Sequence, residues 1–398
     1  MALVVIATGV ARYLIGGILL LTNPGAGSTK DYTLRPSVAV LLPCFNESKA
    51  VYATIESVHR SDYPHLEIVA VNDGSTDDSW EWIQKAAIDF PNVRAINQKN
   101  GGKTKAIFAA FDACDAELVL VVDSDTLVGI NAVSEAVANF GNPKLGAVGA
   151  PVGVRNPNDN ALTAFQTYLY YLGFRLGKMM EVAVGNTGCI GGFFLMVKRT
   201  VMNEIRPDLE ARNWFGIKIR DGEDRYATHQ ILLRGYDTYI DMKCECTTFV
   251  PTTFKAYWGQ QVRWRRSNTR DFFYTIARIP MHVRKLHPMG SFVYVMTPLV
   301  MFIGLIGIAA IFFLSPDIWL NPEMCIVYIG ASFLIIWLLR KTHPDQQLHN
   351  PLRLFVYAGW WLANNLFLTI YALLTFDSGD WGNRTSNFTE EKHESQGS

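Results

Sequence analysis

From Ser291 to Leu314 the chain carries no charged residue, and a run of that length can cross a hydrocarbon core of ~30 Å, which takes about 20 residues of helix. A bilayer admits only segments that satisfy their own backbone hydrogen bonds, so this one is expected to be helical. Met324 to Leu339 is a shorter uncharged run, and Leu354 to Phe376 is a third, with Asn364 and Asn365 as its strongly polar members. Leu3 to Thr22 is a fourth apolar stretch, interrupted by Arg12. A mid-bilayer arginine costs roughly 2.5–3.5 kcal/mol on insertion scales, so Arg12 is expected to face other helices. A signal peptide is the competing reading, but Met1-Ala2-Leu3 provides no basic lead.

Charge is balanced overall, 36 basic residues against 36 acidic, so no global positive field recommends nucleic acid as a partner. The basic residues cluster instead. Arg263, Arg265, Arg266, Arg270, Arg278, Arg284 and Lys285 all precede the run at Ser291, and Arg340, Lys341 and Arg353 lie between the later runs. Positive-inside bias then places residues 23–290 in the cytoplasm of a multi-pass protein of the plasma membrane. Six cysteines follow no zinc-ligand spacing, and a cytoplasmic domain keeps them reduced. Cys244-Glu245-Cys246 reads as alternating strand residues.

Ahead of the membrane runs, strands alternate with helices. Ser37–Pro43, Glu67–Asp73 and Glu117–Asp123 are β-branched runs, and Ala50–Arg60 and Asp77–Asp89 are helical stretches between them. That rhythm argues for a parallel sheet, whose ligands collect at the carboxyl ends of the strands. The residues there are Cys44-Phe45-Asn46-Glu47, Gly74-Ser75-Thr76-Asp77 and Ser124-Asp125, an acidic rim rich in hydroxyls.

Four groups on or near this rim carry chemistry. Asp123-Ser124-Asp125 sets two carboxylates at i and i+2 after a buried strand, where hard oxygen ligands suit Mg2+ or Mn2+ beside a diphosphate; a solvated turn is the structural alternative. Asp73 ends the preceding strand and can accept from a base N–H, or serve a capping turn before Asp77. Asn100-Gly101-Gly102-Lys103-Thr104-Lys105 precedes a helix expected at Ala106 and offers an anion cradle, with spacing unlike a Walker loop. Arg220-Asp221-Gly222-Glu223-Asp224-Arg225 opens another helix, whose dipole favours acidic residues in any case. Transfer to a hydroxyl needs a general base, and Asp224 is the choice, with Glu223 second. Last comes Gln260-Gln261-Val262-Arg263-Trp264, with Arg263 for diphosphate oxygens and Trp264 for a sugar face. An amphipathic interfacial helix over Trp258–Ile279 explains the same strip, and the two readings are compatible.

In order, Asp73-Gly74-Ser75, Asp123-Ser124-Asp125, Gly222-Glu223-Asp224-Arg225 and Gln260-Gln261-Val262-Arg263-Trp264 resemble the signature series of processive family 2 glycosyltransferases with a GT-A fold. The resemblance covers about residues 35–270 and is greatest to the hyaluronan synthases and chitin-oligosaccharide synthases. Asp224-Arg225, Lys243-Cys244-Glu245-Cys246-Thr247, Arg263-Trp264-Arg265-Arg266-Ser267 and Trp381-Gly382-Asn383-Arg384 favour that branch. It implies that Asp73 contacts uracil, Lys103 assists at the nucleotide, Asp123 and Asp125 serve the diphosphate and its metal, and Asp224 deprotonates the acceptor. Gln260, Arg263 and Trp264 would bind diphosphate and acceptor sugar, with Cys189 and Glu223 also at the acceptor. Three positions depart from the pattern: Gly192 replaces the proline that ends Cys-x-Gly-Pro, Asn383 a threonine and Tyr226 a histidine. Each departure bears on which sugar is accepted.

The expected fold is therefore an α/β GT-A glycosyltransferase domain, mostly parallel and Rossmann-like, with an α-helical transmembrane region. Its layout is a membrane helix at 1–30, a cytoplasmic catalytic domain at 31–256, interfacial helices at 257–290, three membrane helices at 291–376 and a polar tail at 377–398. The expected partners are a UDP-sugar donor, a growing polysaccharide acceptor, the lipid bilayer and, because three or four spans are few for a polymer channel, a further copy of the chain. A chitin-type synthase using UDP-GlcNAc alone, a non-processive transferase acting on a lipid carrier, and a non-catalytic nucleotide- or glycan-binding membrane subunit are the alternatives.

Overall fold

The computed structural model describes residues 29–183, 186–214, 217–219, 221–285 and 351–375, with isolated positions between 18 and 22 and between 322 and 341. Of the membrane helices expected at 1–30 and 291–376, the runs at 3–22, 291–314 and 324–339 lie almost wholly outside the described residues, as does the tail at 377–398, whereas the run at 354–376 falls on the described helix Pro351–Thr375. Among the described residues no helix is long and apolar enough to cross a membrane.

The first half of the chain runs β1 (Val38–Cys44), α1 (Ala50–His59), β2 (Leu66–Asp73), α2 (Ser79–Asp89), β3 (Val93–Gln98), α3 (Lys103–Asp112) and β4 (Leu118–Val121). Then follow β5 (Thr126–Val128), α4 (Ala132–Val137), β6 (Leu145–Gly149), β7 (Val152–Val154), α5 (Ala161–Tyr170), a π-helical turn (Tyr171–Leu176) and α6 (Gly177–Ala183). The rest comprises β8 (Leu195–Lys198), α7 (Arg199–Glu210), β9 (Asn213–Trp214), β10 (Ile217–Lys218), α8 (Glu223–Leu233), β11 (Asp237–Ile240), β12 (Cys246–Thr248), α9 (Phe254–Lys285) and α10 (Pro351–Thr375).

Seven strands form one sheet in the order β11-β6-β8-β4-β1-β2-β3. Strands β1, β2, β3 and β4 are parallel where they pair, and β8 alone runs antiparallel, between β4 and β6. Both β1 (VAVLLPC) and β4 (LVLV) are buried at every residue, as continuous apolar runs are when helices cover both faces. At the edge, β3 carries Arg94 outward and is only partly buried, a composition that discourages pairing with another chain. Parallel registry such as Cys44↔Asn72 and Leu41↔Val121 brings the carboxyl ends of β1, β2 and β4 to one rim.

Several boundaries differ from expectation. Helix α3 starts at Lys103, not Ala106, and α9 extends over Phe254–Lys285, past both ends of Trp258–Ile279. Cys244 lies in the turn before β12, although the alternation of buried Cys244 and Cys246 around exposed Glu245 holds. None of the five cysteines among the described residues forms a disulfide.

At the far end of the sheet, Lys30 pairs with buried Asp241 at 2.6 Å and with Glu135, fastening the entry of the chain to the domain. Helix α5 is started by a reciprocal cap: the Asn160 side chain accepts from the Thr163 amide and the Thr163 hydroxyl accepts from the Asn160 amide, both at 3.0 Å. A second apolar cluster then joins α5 to α9 and α10 through Phe165, Tyr168, Tyr257 and Tyr357. Phe165 stacks on Trp360 with ring centroids 5.2 Å apart and planes 11° apart. Asn364, expected as a polar member of a membrane run, turns inward and donates to the Tyr257 hydroxyl at 2.5 Å.

Candidate functional site

The loops after β1 and β2 are built before any ligand is considered. Asn46 and Ser48 have positive φ, 55° and 46°, and their amides donate to the Ser75 hydroxyl at 3.0 Å and to Asp77 at 3.0 Å. Asp77 also accepts from the amide and hydroxyl of Ser79, the first residue of α2, the amide at 3.0 Å. Most of the hydroxyls on this rim therefore tie two loops together.

Asp73 at the end of β2 is 3% exposed. Its carboxylate accepts from the amides of Gly101 and Gly102, both at 2.8 Å, and from the Gln98 side chain at 2.7 Å. This contact pins the glycine loop and sets Lys103 as the first residue of α3. The side chain assigned to uracil by resemblance is thus already the anchor of the adjoining loop.

Lys103 reaches across to two carboxylates, with its ammonium 2.6 Å from Asp123 and 2.5 Å from Glu223. Burial opposes the charge, yet Asp123, Glu223 and Asp224 hold the ammonium well above the ordinary lysine range. Asp123 and Asp125 sit on the tight turn between β4 and β5, where the Thr126 amide donates to the Asp123 carbonyl at 3.0 Å. Ser124 between them is buried, and its carbonyl accepts from Thr54 at 2.9 Å. Asp125 is half-buried.

Helix α8 brings the remaining acids. Gly222 at its N-cap is left-handed, with φ 68°, and Glu223 and Asp224 occupy its first turn. Asp224 accepts from the Gly192 amide at 3.0 Å and from the Arg225 amide at 2.7 Å. A Cβ on Gly192 would lie 2.8 Å from the Lys103 ammonium and within 3.6 Å of both Glu223 and Asp123. Gly192 therefore stands at the centre of the cluster, and its amide makes a bond that a proline there could not.

Cys189 is half-buried nearby, and burial pushes its thiol up to about 11, so it is a neutral wall of the site. From there the chain leads to aromatic rings. Phe193 meets Phe174 edge-on at 5.4 Å, and Phe174 meets Trp264 at 6.4 Å with planes 81° apart. Tyr170 contacts Trp264 at 5.9 Å. The π-helical turn places Phe174 in this chain of rings, and Trp264 remains 36% exposed. Arg263, next to it on α9, is half-buried, while Gln260 has its Oε1 buried with no hydrogen-bond partner among the described residues.

Helices α8 and α9 are fastened by charge. Asp221 and Arg270 pair at 2.6 Å with side chains 10% and 5% exposed. Asp271 pairs with Arg225 at 3.2 Å and with His229 at 2.6 Å. Burial opposes the charge on Asp271, but His229 and Arg225 draw its carboxyl below the usual carboxylate range.

The structure thus brings together Lys103, Asp123, Glu223, Asp224 and Cys189, sets Asp73 beside them through the 101–102 amides, and reaches Trp264 through Phe174 and Phe193. The sequence reading missed Tyr170, Phe174, Phe193, Asp271 and His229. Only the aromatic density of residues 165–174 hinted at the first two, and no local pattern marked the others.

The chain is similar to several known proteins. The model of glycosyl transferase family 2 matches residues 39–205. An N-acetylglucosaminyltransferase of Rhizobium leguminosarum bv. viciae is 31% identical over 361 residues, covering 88% of this chain and 82% of that protein. A hyaluronan synthase of Streptococcus pyogenes is 27% identical over 387 residues, covering 92% of this chain and 87% of the relative. Among solved structures, a mannosyltransferase from Pyrobaculum calidifontis in complex with GDP-Man and Mn2+ aligns with a TM-score of 0.61 at 19% identity. It covers 94% of this chain and 97% of its own, a likeness of fold.

Proposed function

We propose that this chain, which belongs to glycosyl transferase family 2, builds a polysaccharide of the hyaluronan type from UDP-GlcNAc and UDP-glucuronate by inverting transfer at a membrane and passes the polymer outward. The observation that carries this reading is the meeting of Lys103, Asp123, Glu223 and Asp224, from α3, the β4–β5 turn and α8, at the carboxyl rim of the parallel strands.

In this reading Asp224 takes the proton of the acceptor hydroxyl. The hydroxyl oxygen bonds to the donor C1 as the C1–O electron pair leaves with UDP, so a single displacement inverts the anomeric carbon. Lys103 and Arg263 offset the charge of the departing diphosphate, and Trp264, propped by Phe174 and Tyr170, gives the acceptor ring a face. Asp123 already faces a cation, Lys103, and its oxygens with those of Asp125 suit a hard divalent ion. Mn2+ or Mg2+ held there would supply Lewis-acid stabilisation of the diphosphate. Bilayer contact is supported by the outward face of α10, where Val356, Phe367, Ile370, Tyr371 and Leu374 are exposed.

A chitin-type reading, with UDP-GlcNAc as sole donor, is favoured by the 31% identity to an N-acetylglucosaminyltransferase. Incubating the purified full chain with Mn2+ and UDP-GlcNAc, with and without UDP-glucuronate, separates the two. Polymer that needs both donors supports the hyaluronan type, and polymer from UDP-GlcNAc alone replaces it with the chitin type. Asp224→Asn is expected to abolish transfer while UDP still binds; unchanged transfer removes Asp224 from the mechanism.

A further inference from the structure

Arg225 follows Asp224 directly in the chain, yet its guanidinium is turned toward α9. Adjacent residues on a helix do not face each other, but a long cation beside a half-buried carboxylate can fold back onto it unless another partner holds it. Asp271 is that partner. One of its oxygens lies 3.2 Å from Arg225 Nη1 and the other 2.6 Å from His229 Nε2. Its side chain is 9% exposed, and that of His229 is 1% exposed.

We propose that Asp271 is a positioning residue for the transfer reaction, holding the Arg225 guanidinium against α9 and off the Asp224 carboxylate that takes the acceptor proton. This inference rests on the role proposed above for Asp224.

The charges around Asp224 show why one more cation matters. It faces Lys103 from α3, itself bound to Asp123 of the β4–β5 turn, and Arg212 from the segment after α7. Cys189 faces it from the segment before β8, and Glu223 and Arg225 share its helix. Lys103 is shared among Asp123, Glu223 and Asp224, whereas Arg225 has Asp271 as its paired carboxylate. Removing one member of a buried pair leaves an uncompensated charge that seeks the next partner, and for Arg225 that partner is Asp224. The same contact couples two functions. Asp271 lies on the helix that presents Trp264, and Arg225 on the helix that presents Asp224.

The test uses the full-length protein and compares Asp271→Asn, Arg225→Gln with Asp271→Asn, Asp271→Glu and, in parallel, Asp224→Asn. Asp271→Asn is expected to lower kcat about tenfold, a part of the roughly 10²–10⁴ that a general base contributes, with donor KM and UDP affinity within about twofold of wild type. The neutral pair of Arg225→Gln with Asp271→Asn is expected to recover most of that loss, because the stray cation is gone. A purely structural contact also predicts recovery in the double variant, and is told apart by Asp271→Asn losing unfolding midpoint and UDP affinity together with kcat, whereas a positioning role predicts that kcat alone falls. Asp271→Asn with wild-type kcat or with that joint loss, or a folded double variant without recovery, overturns the proposal. Activity in the double variant and in Asp271→Glu supports the proposal, and loss in Asp271→Glu at wild-type UDP affinity overturns it. Transfer that survives Asp224→Asn instead overturns the assignment of the base, whatever the Asp271 variants do.

Discussion

Gly222→Ala tests whether α8 and α9 approach as closely as the site requires. Gly222 has φ 68°, and a Cβ there would fall 2.0 Å from the Ser267 hydroxyl and 3.0 Å from its Cβ. An L residue in the left-handed region costs about 1–2 kcal/mol, and forcing a methyl into a packed helix contact costs about 1–3 kcal/mol more. The sum is about 2–5 kcal/mol of stability, taken from the cap of the helix that carries Glu223 and Asp224. Denaturant or thermal unfolding measures the loss, and the transfer assay is expected to show kcat falling with it as the first turn of α8 is displaced. Ser267→Gly in the same background removes the steric part. After allowing roughly 1 kcal/mol for glycine inside a helix, only the backbone strain is expected to remain. Gly222→Ala within about 0.5 kcal/mol of wild type, the range of ordinary surface changes, would refute the close approach.

Two further outcomes follow from the site. Asp73→Asn retains one acceptor oxygen but sets its amide nitrogen against the amide of either Gly102 or Gly101, which donate to different oxygens of Asp73, so a loss of about 1–3 kcal/mol is expected with a raised donor KM; unchanged kinetics and stability would show that the glycine loop holds itself. Cys189, with its thiol pushed up to about 11 by burial, is thiolate in only roughly one molecule in a thousand at pH 8. Its alkylation, followed by mass spectrometry, is expected to be slow at neutral pH and to accelerate toward pH 11, and rapid modification at pH 7 would contradict the burial.

Strands β1, β2 and β4 were legible because parallel strands covered on both faces read as unbroken apolar runs. β8 was not, since Leu195–Lys198 is short and its antiparallel place between β4 and β6 is decided by partners far away in the chain. The early start of α3 escaped notice for a similar reason. It is set by Asp73 gripping the Gly101 and Gly102 amides, a contact between separate segments. The acids at 123, 223 and 224 could be named from spacing, but their gathering around Lys103 could not. Asp271 illustrates the limit best, because nothing in Arg270-Asp271-Phe272 marks it out until α9 is laid beside α8.

The ring pile around Phe165 bears on how this enzyme can be cut for study. A fragment ending after α9 would discard α10 and with it Trp360, Tyr357 and Asn364. Phe165 would lose its stacking partner and the Tyr257 hydroxyl its donor, leaving an apolar scar on the flank of the helix that bears Trp264. Uncovered aromatic surface of that kind favours aggregation. A truncation that retains activity has to carry residues 351–375, either in line or supplied as a separate chain.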